Sequence, residues 1–145
     1  MEVNEGWRTM PYLADGSVGI GVVLERYLAH RHDEQFADAA ARIRRAAESQ
    51  FYVEPGLLWG RAGIILYLAE ARRHGGDPQL DALITTHIRR LAWHAMDYQG
   101  HAAFPGAELL RLSMDLGTGS AGVLLAIGAV LHDEPVSLPF LAPTG

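Results

Sequence analysis

The sequence predicts an all-α fold in which the helices form two layers, and three observations indicate it. A Gly-x-x-Gly motif occurs three times, an apolar run follows each copy, and amphipathic segments lie between the runs. The motifs begin at Gly16, Gly60 and Gly119, so they are 44 and 59 residues apart, which is the length of a helix-pair repeat. We therefore expect helix pairs that repeat along the chain.

The apolar runs predict inner helices that are buried on every side. Each run follows one of three glycine pairs: Gly16 and Gly19, Gly60 and Gly63, and Gly119 and Gly122. The runs contain Ile20, Val22, Val23, Leu24, Tyr27 and Leu28; residues 64–68; and residues 123–127 with Val130 and Leu131. A helix without a polar stripe is typically buried, and glycine lets the backbone pass close to its neighbours at the helix entrance.

The segments between the runs predict outer helices with one apolar face. Apolar residues recur there at spacings of three or four: Phe36, Ala40, Ile43 and Ala47, then Leu80, Ile84, Ile88 and Leu91. Asp33 and Asp77–Pro78 are typical of helix starts, and Gly75–Gly76 of a helix end. An inner helix wall surrounded by an outer one is an α/α toroid. Residues 97–113 predict a short extended excursion, interpreted as a hairpin over one mouth of the ring.

The composition limits the class of function. With 145 residues, 49% of them hydrophobic, the chain fits one folded domain. A net charge of −5 without a basic stripe predicts no nucleic-acid partner. The longest apolar run, residues 121–131, is too short to cross a membrane and no signal sequence opens the chain, so we expect a cytoplasmic protein without a membrane partner. The absence of cysteine excludes a disulfide, a thiol nucleophile and a thiolate ligand from this chain.

Three segments carry a resemblance to a known family. They are Pro-Tyr-Leu-Ala-Asp-Gly-Ser at 11–17, Gly-Leu-Leu-Trp-Gly-Arg-Ala-Gly at 56–63, and Arg-Leu-Ser-Met-Asp-Leu-Gly-Thr-Gly-Ser-Ala-Gly at 111–122. Together with Leu-Pro-Phe-Leu at 138–141, they resemble the LanC-like cyclase domain at the C-terminus of class III lanthipeptide synthetases, the zinc-free type. Such domains close a toroid of seven helix-pair repeats. The resemblance implies that residues 1–145 are the C-terminal part of one, about three repeats with a tail at 133–145, and that upstream repeats and kinase and lyase domains are partners.

The resemblance also implies a reaction on a lanthipeptide precursor peptide. A cysteine thiol of the peptide adds to a dehydroalanine or dehydrobutyrine, which forms a lanthionine or labionin ring. In zinc-dependent relatives two cysteines and a histidine hold the metal, and these positions correspond to Ala14, Leu58 and Trp59. None of the three side chains binds zinc, so we expect no metal and no cofactor, and a general base is needed to form the thiolate.

Four residues are candidates for the site, each with a structural alternative. Asp15 is a candidate acid or base, or a cap for the helix that follows it. His101 lies in the excursion and is either a proton-transfer group or an exposed loop histidine. Arg61 is a cation in the first turn of a helix, where the helix dipole disfavours it, so it contacts either substrate or an acidic partner. Trp59 either walls the substrate pocket or fills the core.

Other polar residues are expected to be structural. His87 and His94 fall near the inward stripe of an outer helix and are predicted to pack between the helix layers. Ser113 and Asp115 lead into the third glycine motif, where the favoured role is a buried carboxylate that holds loop amides.

The sequence leaves three functions open. The first is part of a thioether cyclase, inactive or weakly active alone. The second is a non-catalytic half-toroid that binds a peptide or a partner domain. The third is another α/α toroid enzyme such as a glycosidase, which ranks lowest because the glycine motifs carry no second inward carboxylate to match Asp15. An incomplete ring exposes apolar faces at its ends, so self-association or an N-terminal partner segment is expected.

Overall fold

The chain is mostly helical in a computed structural model that describes residues 10–49, 51–75, 77–134, 136 and 138. The α-helices in this described part are α1 (Ser17–Leu28), α2 (Glu34–Ala47), α3 (Arg61–Gly75), α4 (Pro78–Leu91) and α5 (Ser120–Leu131). Strands β1 (Met96–Tyr98) and β2 (His101–Ala103) pair as an antiparallel hairpin, and Ala92–His94 and Ala107–Leu109 form 3-10 turns. The predicted all-α class is confirmed, and the excursion expected near 97–113 contains the hairpin. Within the described ranges, none of the helices combines the length and apolarity needed to span a bilayer.

The outer helices begin as the sequence predicts. The carboxylates of Asp33 and Asp77 accept hydrogen bonds from backbone N–H groups in the first turns of α2 and α4, at 3.0 and 2.9 Å. Pro78 stands in the first turn of α4, where a helix leaves N–H groups without an intrahelical partner. As expected, α3 ends at Gly75, while Gly76 lies outside the described residues.

The helices form two layers, and α3 is the middle helix of the first layer. It packs between α1 and α5, which form one layer with it. The other layer consists of α2, which packs against α1 and α3, and α4, which packs against α3. Residues 61–71 of α3 are all buried, as predicted for an inner helix. The predicted order of inner and outer helices is therefore present, and closure of the layers into a toroid stays a prediction.

Helices α1 and α5 are not buried on every side, which corrects the prediction made from their apolar runs. Ile20 and Val23 of α1 are 60% and 61% exposed, and Leu124 and Leu131 of α5 are 51% and 70% exposed. Their exposure differs from that of α3 because of where they lie. Helix α3 has a helix of its own layer on each side, α1 and α5, whereas within the described chain α1 and α5 each have only α3 beside them in that layer. A uniformly apolar helix is buried only where other elements cover it.

The three Gly-x-x-Gly motifs share one backbone course. The N–H of the first helical residue donates to the carbonyl seven residues earlier, at 2.8 or 2.9 Å, in three pairs: Ser17 with Met10, Arg61 with Glu54, and Ser120 with Ser113. A Cβ at either glycine of a motif would overlap the carbonyl oxygen six residues earlier. Gly16 and Gly119 have φ angles of −144° and −104°, so close backbone approach, and not left-handed backbone, requires glycine.

Buried ion pairs join the helices near their C-terminal ends. Glu25 of α1 is 3% exposed and accepts a hydrogen bond from Arg44 of α2 at 2.7 Å. Glu70 of α3 pairs with Arg26 of α1 at 2.7 Å and with Arg73 at 3.1 Å. Arg73 also donates to a backbone carbonyl in the last turn of α5. Because a shift of one helix would leave a buried charge without its partner, this network fixes how four helices align.

The segment after α5 packs against the inner layer. Leu138 is buried and belongs to the same core cluster as Leu57 and Val123. Arg73 of α3 donates to the Val136 carbonyl at 3.4 Å. The remaining residues of the predicted tail, 135, 137 and 139–145, lie outside the described residues.

Replacing Gly60 or Gly119 by alanine is expected to lower the free energy of unfolding by about 3 kcal/mol, because the added Cβ overlaps a backbone carbonyl. Gly75→Ala is the matched control, since its Cβ would meet no atom within 4 Å, and we expect a change of at most about 0.5 kcal/mol. Denaturant unfolding measures all three variants. Equal stabilities would contradict the close approach.

The exposed faces of α1 and α5 predict that the isolated chain self-associates. Contiguous apolar surface of more than a few hundred Å² normally marks an interface. Light scattering coupled to size exclusion is expected to give a mass above that of one chain, increasing with concentration. Replacing Ile20 and Leu131 by glutamine is expected to lower this mass. A concentration-independent monomer with a sharp thermal transition would refute the prediction.

Candidate functional site

Three loops that precede the inner helices lie side by side and form the candidate site. We call them the loop row, which comprises residues 10–16, 54–60 and 113–119. The Ala14 N–H donates to the Leu58 carbonyl at 2.9 Å, and the N–H groups of Leu57 and Leu58 both donate to the Gly117 carbonyl at 2.9 Å. Because the loops share one backbone course, equivalent residues of the three repeats are neighbours in this row.

The positions at which the family resemblance places zinc ligands meet in the loop row. Ala14 and Leu58 are joined by a backbone hydrogen bond, and Trp59 follows Leu58 directly. Their side chains offer no oxygen or sulfur, and the indole N–H is a donor only. Among the described residues, no group of three or more His, Asp and Glu side chains is placed to hold a metal. The absence of a metal from the working protein stays a prediction.

Asp15 is exposed at the loop row and does not cap α1. Its φ of 53° places it in the left-handed region, which Asp adopts more readily than most residues. The N-cap of α1 is Gly16, and no side chain caps this helix. The capping interpretation of Asp15 is therefore wrong. The N-cap position is occupied by Gly16, where a side chain would overlap the Met10 carbonyl oxygen. Its role as acid or base stays a prediction.

The carboxylates of the loop row differ in what engages them. In the described chain, Glu54 accepts a hydrogen bond from the Glu108 N–H at 3.0 Å, and Asp115 accepts one from the Thr118 N–H at 2.7 Å. No such hydrogen bond to a described backbone N–H holds the carboxylate of Asp15. The loop row contains no His, Lys, Arg or Cys. Asp15 thus differs from Glu54 and Asp115 in that no described backbone N–H engages its carboxylate.

Asp115 holds the third loop, as the structural interpretation predicts. Besides the Thr118 N–H, it accepts hydrogen bonds from the Thr118 hydroxyl at 2.7 Å and from the Ser113 hydroxyl. Asp115 is exposed, so the predicted burial of this carboxylate is wrong. The hydrogen bonds from Ser113 and Thr118 hold the pKa of Asp115 well below its usual range. Its carboxylate stays ionised and engaged, which suits a loop anchor and not a general base.

Trp59 is 43% exposed in the loop row. This exposure contradicts the filling of the core, and the role of Trp59 as the wall of a substrate pocket stays a prediction. Leu58 beside it lines an apolar cavity that also contacts α1. The loop row therefore presents an exposed indole, and its leucines line an apolar cavity.

Arg61 points into the protein, between α3 and α4. It is 3% exposed, and its Nη2–H donates to the Tyr52 carbonyl at 3.3 Å. The guanidinium also lies over the Tyr52 ring, 5.4 Å from its centroid, and Nη1 is 3.1 Å from Nδ1 of His87. Burial, with a smaller contribution from Arg90, lowers the pKa of Arg61. This buried position does not favour the predicted substrate contact, which stays a prediction.

His87 is fully buried between the layers, as predicted. Arginine only donates hydrogen bonds, so Nδ1 of His87 accepts from Arg61 and Nε2 carries the proton. Nε2–H donates to the Ala47 carbonyl at the end of α2, at 3.1 Å. Burial lowers the pKa of His87 to about 4, so the ring is neutral at physiological pH. One feature of the sequence indicates that Arg61 needs a partner, namely its unfavourable position in the first turn of a helix. Nothing in the sequence indicates that His87 contacts it.

His94 and His101 lie at the surface. His94 is partly exposed beyond the end of α4, and its Nε2 is 2.9 Å from the Val53 carbonyl, so its predicted packing between the layers is wrong. His101 is exposed on β2, opposite Tyr98. The excursion reaches the inner layer through Phe104, whose N–H donates to the Ser120 hydroxyl at 2.9 Å. The described contacts do not bring His101 to Asp15, and its proton-transfer role stays a prediction.

Comparison with known proteins gives one clear relative. No family model matches the chain. A protein of Streptomyces coelicolor described as "Probable SapB synthase" is 53% identical over 145 residues. The match covers 99% of this chain and 15% of that protein, so the chain spans about 15% of the length of the curated relative it matches.

The neutral buried His87 predicts that stability falls as the pH is lowered. Its pKa is about 4 in the folded chain against 6.5 when exposed, so its contribution is complete above pH 6.5 and decreases as the pH falls through about 4. The loss at low pH is about 3 kcal/mol. Denaturant unfolding between pH 7 and 4 measures it. His87→Gln, which does not titrate, is expected to show a smaller pH dependence, and parallel curves for the two proteins would contradict the assignment.

Proposed function

We propose that this chain is part of the cyclase domain of a class III lanthipeptide synthetase, which adds peptide cysteine thiols to dehydroamino acids without zinc. The observation that carries the proposal is the loop row, because it joins Ala14, Leu58 and Trp59, the positions that hold the metal in zinc-dependent relatives of this family. The match to a probable SapB synthase over 99% of the chain supports a role in lanthipeptide biosynthesis. The precursor peptide, upstream toroid repeats, and kinase and lyase domains are the proposed partners.

Thiol addition needs a group that takes the thiol proton. A free thiol has a pKa near 8.5 and is mostly protonated at neutral pH. Asp15 is the proposed base, since it is exposed in the loop row and does not cap a helix. The thiolate sulfur then forms a bond to the β-carbon of the dehydroamino acid, and the resulting enolate takes up a proton at the α-carbon. His101 is a less supported candidate for that proton donor, because the described contacts leave it on the hairpin.

A non-catalytic peptide-binding half-toroid is the second candidate function. The observation that favours it is that the four predicted site residues do not converge, since Arg61 is buried while His101 is exposed on β2. A glycosidase is less supported, because it needs two available carboxylates and Asp115 is engaged by Ser113 and Thr118.

Thiol counting separates the two candidate functions. The purified chain is mixed with a dehydrated precursor peptide, and free thiols are followed with a colorimetric reagent. A cyclase consumes thiols, whereas a binding module retains the peptide without consuming them. The same measurement is made on a chimera in which this chain replaces the matching segment of the S. coelicolor relative, to which it is 53% identical over 145 residues.

In this chimera, Asp15→Asn is expected to reduce SapB formation about a hundredfold, because general acid–base catalysis typically contributes at least that factor. Asp38→Asn, at an exposed position of α2, is the matched control and is expected to leave formation unchanged. Mass spectrometry of the product measures both. Equal formation with both variants would show that Asp15 is not the base.

A further inference from the structure

An apolar cavity of about 450 Å³ opens on the loop row. Each of the three loops contributes a leucine to it, namely Leu13, Leu58 and Leu116, and α1 contributes Val22 and Val23. The lining contains no ionisable side chain. A cavity of this size lies within the range of ligand pockets in proteins, about 300 to 1,000 Å³.

The polar backbone groups around this cavity are engaged with one another. The Ala14 N–H and the Leu58 carbonyl are paired, as are the Leu57 N–H and the Gly117 carbonyl. A ligand at the cavity therefore meets side chains and few available backbone donors. A charged or amide side chain placed there would lose its hydration without gaining a hydrogen bond, which costs at least a few kcal/mol. The cavity thus selects apolar groups.

The chain itself shows what packs against this surface. Leu138, in the non-helical segment after α5, lines the cavity and is 6% exposed against Leu57. Two other lining residues are exposed, since Val23 is 61% exposed and Leu116 is 43% exposed. A leucine from non-helical backbone therefore packs in the cavity, while part of its apolar lining stays exposed among the described residues.

We propose that this cavity, which the leucines of the loop row and α1 line, is a subsite for a leucine-sized apolar side chain of an extended peptide. The identification of the peptide as substrate rests on the proposed function. The subsite positions the substrate through one apolar residue, and it discriminates against peptides with a charged residue at that place. The specificity then lies in the loop row itself and not in Arg61.

Photo-crosslinking tests the subsite without any chemistry of ring formation. The probe is the peptide N-acetyl-Ser-photoleucine-Ser-amide, in which photoleucine is a leucine analogue that carries a diazirine. The probe contains neither a thiol nor a dehydroamino acid. Mass spectrometry of the labelled 145-residue chain is expected to place the crosslinks on Leu13, Leu58, Leu116 and α1. The peptide N-acetyl-Ser-Leu-Ser-amide is expected to compete at a concentration at least tenfold lower than N-acetyl-Ser-Lys-Ser-amide.

Two exposed residues of α1 supply the matched variants. Val23 lines the cavity and Ile20 does not, yet they are 61% and 60% exposed. Val23→Asp is expected to lower labelling at least tenfold, and Ile20→Asp less than twofold. Leu116→Ser, in a different loop, is expected to lower labelling as well, and thermal melting checks that each variant is folded.

Labelling outside the cavity, equal competition by the two peptides, or equal loss with both α1 variants would overturn the subsite. The outcome is independent of thiol addition. If the chimera is labelled in the cavity but forms no product, the subsite is supported and the proposed cyclase function is contradicted. If it forms product without labelling in the cavity, the cyclase function is supported and the subsite is contradicted.

Discussion

The close backbone approach at the three Gly-x-x-Gly motifs is the constraint on which the rest of the structure depends. Each loop folds so that a carbonyl six residues earlier lies where a Cβ of the glycine would be. This course brings the first N–H of each inner helix to a carbonyl seven residues earlier. Because all three loops follow it, they hydrogen-bond to each other in register, and the loop row, its apolar cavity and the neighbouring positions of Ala14 and Leu58 result from that register.

Helix α3 is held differently at its two ends, and both ends use buried charge. At its start, Arg61 contacts Tyr52 and His87 and so links α3 to α4 and to the end of α2. Towards its C-terminal end, Glu70 and Arg73 link it to α1 and α5. Buried charges of this kind contribute more to alignment than to net stability, since their desolvation offsets much of their attraction. The hydrogen bonds between neighbouring loops of the loop row form only if α1, α3 and α5 begin at matching positions, so they depend on this alignment.

The chemistry that the loop row can perform follows from what occupies it. Where zinc-dependent relatives of the resembled family place ligands, this chain has an alanine, a leucine and a tryptophan. Apolar side chains line the cavity there, and Asp15 does not cap α1. Peptide binding by the cavity and proton transfer by Asp15 are separate proposals, and each can be tested without the other.

The sequence by itself determined the elements whose causes are local. The helices and their order follow from the spacing of apolar residues and from the capping aspartates Asp33 and Asp77. The equivalence of the three loops follows from the paired glycines. These features are local, because each helix start or loop depends on residues within two helical turns of one another. Only the tertiary structure decided what meets across the layers. His87, which contacts Arg61, is 26 residues from it along the chain. Gly16, and not Asp15, is the N-cap of α1, and the outer faces of α1 and α5 are exposed. The burial of a residue and its contact partners depend on which elements pack beside it in the folded chain. The spacing of residues along the sequence does not indicate those tertiary neighbours.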